Sequence, residues 1–304
     1  MTSRHLGVMT RWSLSILLGV AAIATAAAAS FELPPLVQPA SSEHHSGKVI
    51  WADLITSDLA GAKRFYGGLF GWTFHDIYVG DKDYAVALLN GAPVGGIVQR
   101  TSKPGEHRQP SWLTFISVQD VSEAERITLA HGGKVLSKPR TYAQRGRQAV
   151  FADPQGAVFA VLQSSSGDPQ DVLAVPGELI WSSLLTSDPG AGAAFYQAIF
   201  GYEVFDLPSD DGLKHVLLST DNYARASLNA MPPAASKLHS HWLNFLRVIS
   251  TTEAVTKVKA LGGRVLVEPH LDRHGDLVAV VADPAGAPFG LLEWTNIDTK
   301  EVAK

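Results

Sequence analysis

Polar and apolar positions along the chain repeat one rhythm four times. Val49–Thr56 sets β-branched and aromatic residues into a short run, the pattern of a strand. Asp58 follows and suits a helix N-cap, because its carboxylate accepts a backbone N–H that the first turn leaves free. Ala62, Phe65, Tyr66 and Leu69 then recur at helical spacing, and Gly71 ends the helix. Three short strands are expected next, over 72–78, 83–89 and 93–99. The same order returns: a strand over Trp112–Val118, a helix from Asp120 to His131 stopped by Gly132-Gly133, and strands near 134–140, 147–152 and 157–163. The unit is βαβββ, read twice.

The whole of that stretch then recurs 130 positions on, without a gap. IWADLITSD at 50–58 matches IWSSLLTSD at 180–188 in six of nine positions, and AVFADPQGAVFAVLQ at 149–163 matches AVVADPAGAPFGLLE at 279–293 in nine of fifteen. FYGGLFGW and FYQAIFGY, WLTFISV and WLNFLRV, GGKVL and GGRVL keep the same offset. A tandem duplication with a fixed period defines the architecture. The expected division is a leader at 1–29, a tether at 30–47, domain one at 48–163, a linker at 164–177, domain two at 178–293 and a tail at 294–304.

The order βαβββ-βαβββ resembles the vicinal oxygen chelate superfamily, which includes glyoxalase I, bleomycin-resistance proteins and extradiol dioxygenases. The residues that carry the resemblance are TSDLAGAKRFYGGLFGW, TSDPGAGAAFYQAIFGY and the two DPxGAxF segments at Asp153–Phe159 and Asp283–Phe289. The W-x-D-L-x-T-x-D opening is similar to that of two-domain glyoxalase-like proteins. The resemblance implies an α+β fold of tandem glyoxalase-like domains, each of paired βαβββ modules that curl into a cup. It is specific for fold and weak for function, since one fold hosts many chemistries. Most of the repeated residues have structural work: Phe65, Phe195, Phe70 and Phe200 on buried helix faces, and Asp-Pro-x-Gly in turns.

The resemblance also implies a divalent ion held by His, Gln or Glu on four strands. The matching positions here are Trp51 and Trp181, Leu113 and Leu243, Ala160 and Gly290, and Gly95-Gly96 or Arg225-Ala226. These side chains do not supply the N, O or S donors that zinc, iron or manganese require. No metal or other cofactor is therefore expected at the standard positions. A displaced metal site is the alternative, with His239 and His241 on one strand face and His274 from a loop.

Composition narrows the classes. The chain has 304 residues, 46% hydrophobic and 18% charged, with net charge −4 and no cysteine. A globular core is expected, while disulfides, thiol catalysis and Cys-based metal sites are excluded. No basic block marks a nucleic-acid partner. Arg4 and Arg11 precede an uncharged run from Ser13 to Ala29 that ends in small residues, the layout of a cleaved secretory signal. The expected location is periplasmic or extracellular, with membrane contact only through an uncleaved signal segment. Phe31–Gly47 is rich in Pro and Ser and reads as an extended tether.

Nucleophile elbows, P-loops and dinucleotide fingerprints are absent from the sequence. A pocket remains. Trp51 and Asp53 share one face of the first strand, Trp181 and Ser183 the matching face in domain two, with Phe115 and Phe245 on the fifth strands. An aromatic floor beside Gly or Ala leaves room for a flat apolar molecule. The expectation is a binder of a small organic molecule, an arrangement compatible with a homo-oligomer. The alternative is a metal-dependent or acid/base lyase, isomerase or dioxygenase with Asp53 as general base. A third class is an interaction protein whose domains pair edge to edge.

Overall fold

The computed structural model describes residues 32–79, 82–100, 109–209, 212–231 and 239–294. The expected leader and cleavage site, and the tail beyond Trp294, lie outside the described residues.

Domain one runs β1 (Val49–Thr56), α1 (Leu59–Phe70), β2 (Thr73–Val79), β3 (Lys82–Leu89), β4 (Ala92–Gln99), β5 (Ser111–Ser117), α2 (Val121–Ala130), β6 (Lys134–Tyr142), β7 (Gly146–Ala152) and β8 (Val158–Ser164). Domain two repeats the order with β9 (Leu179–Thr186), α3 (Pro189–Phe200), β10 (Glu203–Leu207), β11 (His215–Thr220), β12 (Tyr223–Ala230), β13 (His241–Arg247), α4 (Thr251–Ala260), β14 (Arg264–Leu271), β15 (Leu277–Ala282) and β16 (Pro288–Glu293). Each domain is one 8-stranded sheet, ordered β2-β3-β4-β1-β5-β8-β7-β6 and β10-β11-β12-β9-β13-β16-β15-β14. The two modules of a domain meet where the opening strands pair antiparallel, β1 with β5 and β9 with β13.

Local chemistry sets the helix ends. Asp58 accepts from the Gly61 amide at 2.8 Å, and Asp188 from the Ala191 amide at 3.0 Å. Gly71 and Gly201 close α1 and α3 at φ 76° and 74°, a left-handed conformation that only glycine adopts without a Cβ penalty.

Alternation along each strand sorts side chains between two faces. Ala52 and Leu54 of β1 face the helices, while Trp51, Asp53 and Ile55 face the cup. The helix-side cores do not stay within domains. One joins α1 and the strands behind it to α4, β15 and β16; the other joins α2, β7 and β8 to α3, β11 and β12. The domains are thus packed back to back through their helices, α1 against α4 and α2 against α3, not edge to edge as the interaction-protein class supposed. The helices are short and their apolar stripes wide, so a single sheet leaves part of each stripe uncovered.

The contacts across this interface are reciprocal. Phe65 meets Phe289 and Phe195 meets Phe159, each with ring centres 6.1 Å apart. Trp72 donates to the Gly177 carbonyl at 2.9 Å, and Tyr202 to the Gly47 carbonyl. Thr114 and Asn244, equivalent positions in the repeat, bond to each other at 3.0 Å where the halves meet.

Residues 32–47, expected as an extended tether, are packed onto domain one. Leu33 and Leu36 are 4% and 7% exposed. The physical reason is in the segment itself: Leu33, Leu36 and Val37 are apolar, and the cup face beside them is apolar as well.

Candidate functional site

The first cup is full. Trp51, Tyr84 and Phe115 are 4%, 3% and 3% exposed, and they form one core with Leu33, Leu36 and Leu162. Asp53 lies at its polar centre, taking the Trp51 indole N–H at 2.7 Å and the Tyr84 hydroxyl at 2.9 Å on one carboxylate oxygen. Burial raises its pKa, against the opposing pull of Arg145 and the hydrogen bonds from Trp51 and Tyr84. Gly96, opposite Asp53 in the sheet register, makes the arrangement fit: a Cβ there would collide with the Tyr84 hydroxyl and the Asp53 carboxylate.

Arg145, in the turn before β7, completes the first cup. It is 1% exposed, its guanidinium carbon lies 4.1 Å from the centre of the Trp51 ring, and its Nε donates to the Pro34 carbonyl at 2.7 Å. Its Nη2 is buried with no hydrogen-bond partner among the described residues.

The second cup places its polar groups on the same strands with different chemistry. Ser183 replaces Asp53, and Ser227 faces it in register. The Ser227 hydroxyl is the hub of a chain: it shares a hydrogen bond with Ser183 at 2.8 Å, and accepts from the Trp181 indole at 3.1 Å and from Asn229 at 3.2 Å. Asn229 in turn meets His215 Nδ1 at 2.8 Å. Trp181 and Phe245 are half-buried here, whereas Trp51 and Phe115 in the first cup are buried. Phe205 on β10 and Val267 on β14 are 48% and 44% exposed. Phe245 lies over Gly290, where a Cβ would strike its ring.

The register corrects one sequence assignment. Asp53 pairs with Gly96 and Ser183 with Ser227, so the fourth-strand position in domain two is Ser227, not Arg225-Ala226. Arg225 instead binds Asp171 of the linker at 2.6 Å. The four family positions are then Trp51, Gly96, Leu113 and Ala160 in one cup and Trp181, Ser227, Leu243 and Gly290 in the other. One neutral hydroxyl among eight side chains does not make a divalent-ion site, which needs several N, O or S donors in fixed geometry.

The alternative histidines do not converge. His241 opens β13, where it pairs with Leu185, and His239 lies two residues before it. His274 lies in the turn that follows the Leu271–Leu277 pair, and Leu277 pairs with Glu293 at the other end of the sheet. His239 and His274 are exposed, and His241 Nδ1 meets the His239 carbonyl at 2.8 Å. Among the described residues, no three His, Asp or Glu side chains are grouped to hold a metal.

A family model for the glyoxalase/bleomycin resistance protein/dioxygenase superfamily matches residues 48–161, and a glyoxalase-like domain model matches residues 182–292. The chain belongs to this superfamily. "Putative glyoxylase CFP32" of Mycobacterium tuberculosis is 31% identical over 257 residues, covering 84% of this chain and 98% of that protein. "Anthracycline biosynthesis protein DnrV" of Streptomyces peucetius is 31% identical over 266 residues, covering 81% of this chain and 93% of that protein. Among solved structures, the Mn(II)-bound glyoxalase of Novosphingobium aromaticivorans aligns with TM-score 0.58 at 16% identity, over 83% of this chain and 84% of that one. The 2,3-dioxygenase LapB of Pseudomonas sp. KL28 aligns with TM-score 0.57 at 14% identity, over 82% and 93%. At such identities these structures establish the superfamily fold and nothing finer.

Within the superfamily fold, sequence reasoning found the aromatic floors and Asp53 but missed Tyr84, Arg145, Ser227 and Asn229. Tyr84 sits on a strand whose alternation puts it on the cup face, which was the available signal. Arg145 had none, because a polar turn such as Gln144-Arg145-Gly146-Arg147 ordinarily holds solvated charges.

Proposed function

We propose that the protein binds a small, flat, largely apolar molecule in the cup of domain two, without the superfamily's metal site. The observation that carries this reading is the difference between the cups. Trp181 and Phe245 retain accessible ring surface, while their counterparts in domain one are covered. Such a floor supplies apolar area, and the Ser183–Ser227–Asn229–His215 chain supplies a few oriented polar groups, the general make-up of a small-molecule site. Acid/base catalysis at Asp53 has less support, since its side chain is buried and its carboxylate already bonded to Trp51 and Tyr84. Residues 1–29 have the layout of an export signal, which supports a periplasmic or extracellular setting for the binding.

The test is a fluorescence titration with Nile red, a neutral planar dye that brightens in apolar sites. The intact protein is expected to bind it saturably, and Trp181→Ala to weaken binding at least tenfold. Equal binding by the variant, or no saturable binding by the intact protein, overturns the proposal.

A further inference from the structure

The segment in the first cup is seated as a ligand would be. Leu33 and Leu36 fill the apolar space over Trp51, Phe115 and Leu162, and the Pro34 carbonyl takes the Arg145 Nε–H at 2.7 Å. The Leu36 and Val37 amides both donate to the Ser166 hydroxyl, at 3.0 and 3.2 Å. Residues 33–37 belong to no strand of the sheet. Pro34 and Pro35 carry no amide hydrogen, so withdrawal leaves no donor of theirs unpaired. Arg145 is 1% exposed with Nη2 unpartnered, a donor that this occupant leaves unused. Domain two has no counterpart: Gly275 stands 130 positions after Arg145, and Ser183 stands for Asp53.

We infer that residues 33–37 are an intramolecular ligand of the first cup, displaced by an uncharged apolar molecule whose carbonyl oxygen takes the place of Pro34 O on Arg145. The guest is uncharged because the group it displaces from Arg145 is a neutral carbonyl, and burying a further charge among the apolar side chains of the cup would be costly. It is a carbonyl compound because the present occupant offers Arg145 an amide oxygen flanked by aliphatic groups. A guest oxygen not tied to the chain can sit between Nε and Nη2 and accept from both, whereas the Pro34 carbonyl accepts from Nε. The inference does not require the second cup to bind anything.

Nile red, itself a neutral carbonyl compound, serves as the probe. It is titrated into the intact chain, a Leu33→Asp/Leu36→Asp variant and that variant with Arg145→Met. At dye concentrations that just fill the second cup, the double variant is expected to bind one equivalent more than the intact chain, whose segment the dye displaces only at higher concentration, and Arg145→Met to weaken that added site at least tenfold. A synthetic peptide of residues 31–38 in excess should restore the intact stoichiometry. No added equivalent in a folded double variant, or an added site indifferent to both Arg145→Met and the peptide, overturns the inference. If the double variant does not fold, the intact chain with a protease site placed at residues 40–43, cut after folding and washed, gives the same comparison. Failure of the second cup to bind removes the first equivalent and leaves the increment readable, so the two proposals fail separately.

Discussion

Tyr66 of domain one donates its hydroxyl to the Asp283 carboxylate of domain two at 3.2 Å, and Tyr196 does the same to Asp153 at 3.1 Å. Each Asp already caps its own turn: Asp153 accepts from the Gln155 and Ala157 amides at 2.9 Å on its other oxygen. The turn and the domain interface therefore share one residue. Tyr66→Phe should lower unfolding stability by about 1–2 kcal/mol, the usual range for losing a buried hydrogen bond. Urea melts of Tyr66→Phe, Asp283→Asn and the double variant should show coupling between the two positions; strictly additive losses would argue against the contact.

Asp53 sets a pH dependence of definite sign. Burial raises its pKa in the folded protein, so the folded state holds the proton more tightly than the unfolded chain. Its contribution is present below the ordinary carboxylate range and is lost as pH rises through the raised value. Asp53→Asn should remove that part of the falling limb. Urea midpoints across a pH series check this, and an unchanged slope in the variant would contradict it.

Asp171 should act in the opposite sense. Burial alone would raise its pKa, but hydrogen bonds and charge from Arg225 and Lys48, at 2.6 and 2.7 Å, outweigh it and lower the value. Its contribution is present above the ordinary range and is lost as pH falls through the lowered pKa. Asp171→Asn is expected to cost about 2 kcal/mol at neutral pH, with the gap to wild type closing on acidification. A gap constant with pH would show that the pair does not act through charge.

Two glycines separate the cups. Gly96→Ala pushes against Asp53 and Tyr84, which are buried and bonded to each other, and should cost roughly 1–3 kcal/mol by overpacking. Gly290→Ala meets the half-buried Phe245 ring, which has room to swing. The second substitution should change Nile red affinity more than melting temperature, and the first the reverse. Equal melting losses in both variants would contradict the difference in enclosure.

Particular residues show why some of this was legible in the sequence. Asp58 and Gly71 mark α1 because capping is a local affair, decided by neighbours within four positions. The repeat places every element of domain two from domain one, so the order of strands follows from pattern alone. The back-to-back pairing does not, because Tyr66 reaches an Asp 217 positions away and nothing in either local pattern records the partner. The Pro- and Ser-rich composition of 31–47 suggested a tether, and the apolar spacing of Leu33, Leu36 and Val37 within it was the weaker signal that decided its place. Trp51 and Trp181 were visible as a matched pair; that one is covered and the other half-exposed depends on a segment that only domain one has in front of it.

The difference between a covered and an open cup is tested most directly by hydrogen exchange on the intact protein with and without Nile red at the concentration that just fills the second cup. Added protection is expected in β9, β12 and β13, around Trp181, Ser227 and Phe245, while β1 and β5 stay unchanged. Protection confined to β1, β5 and residues 33–37, or absent from both cups, would contradict it.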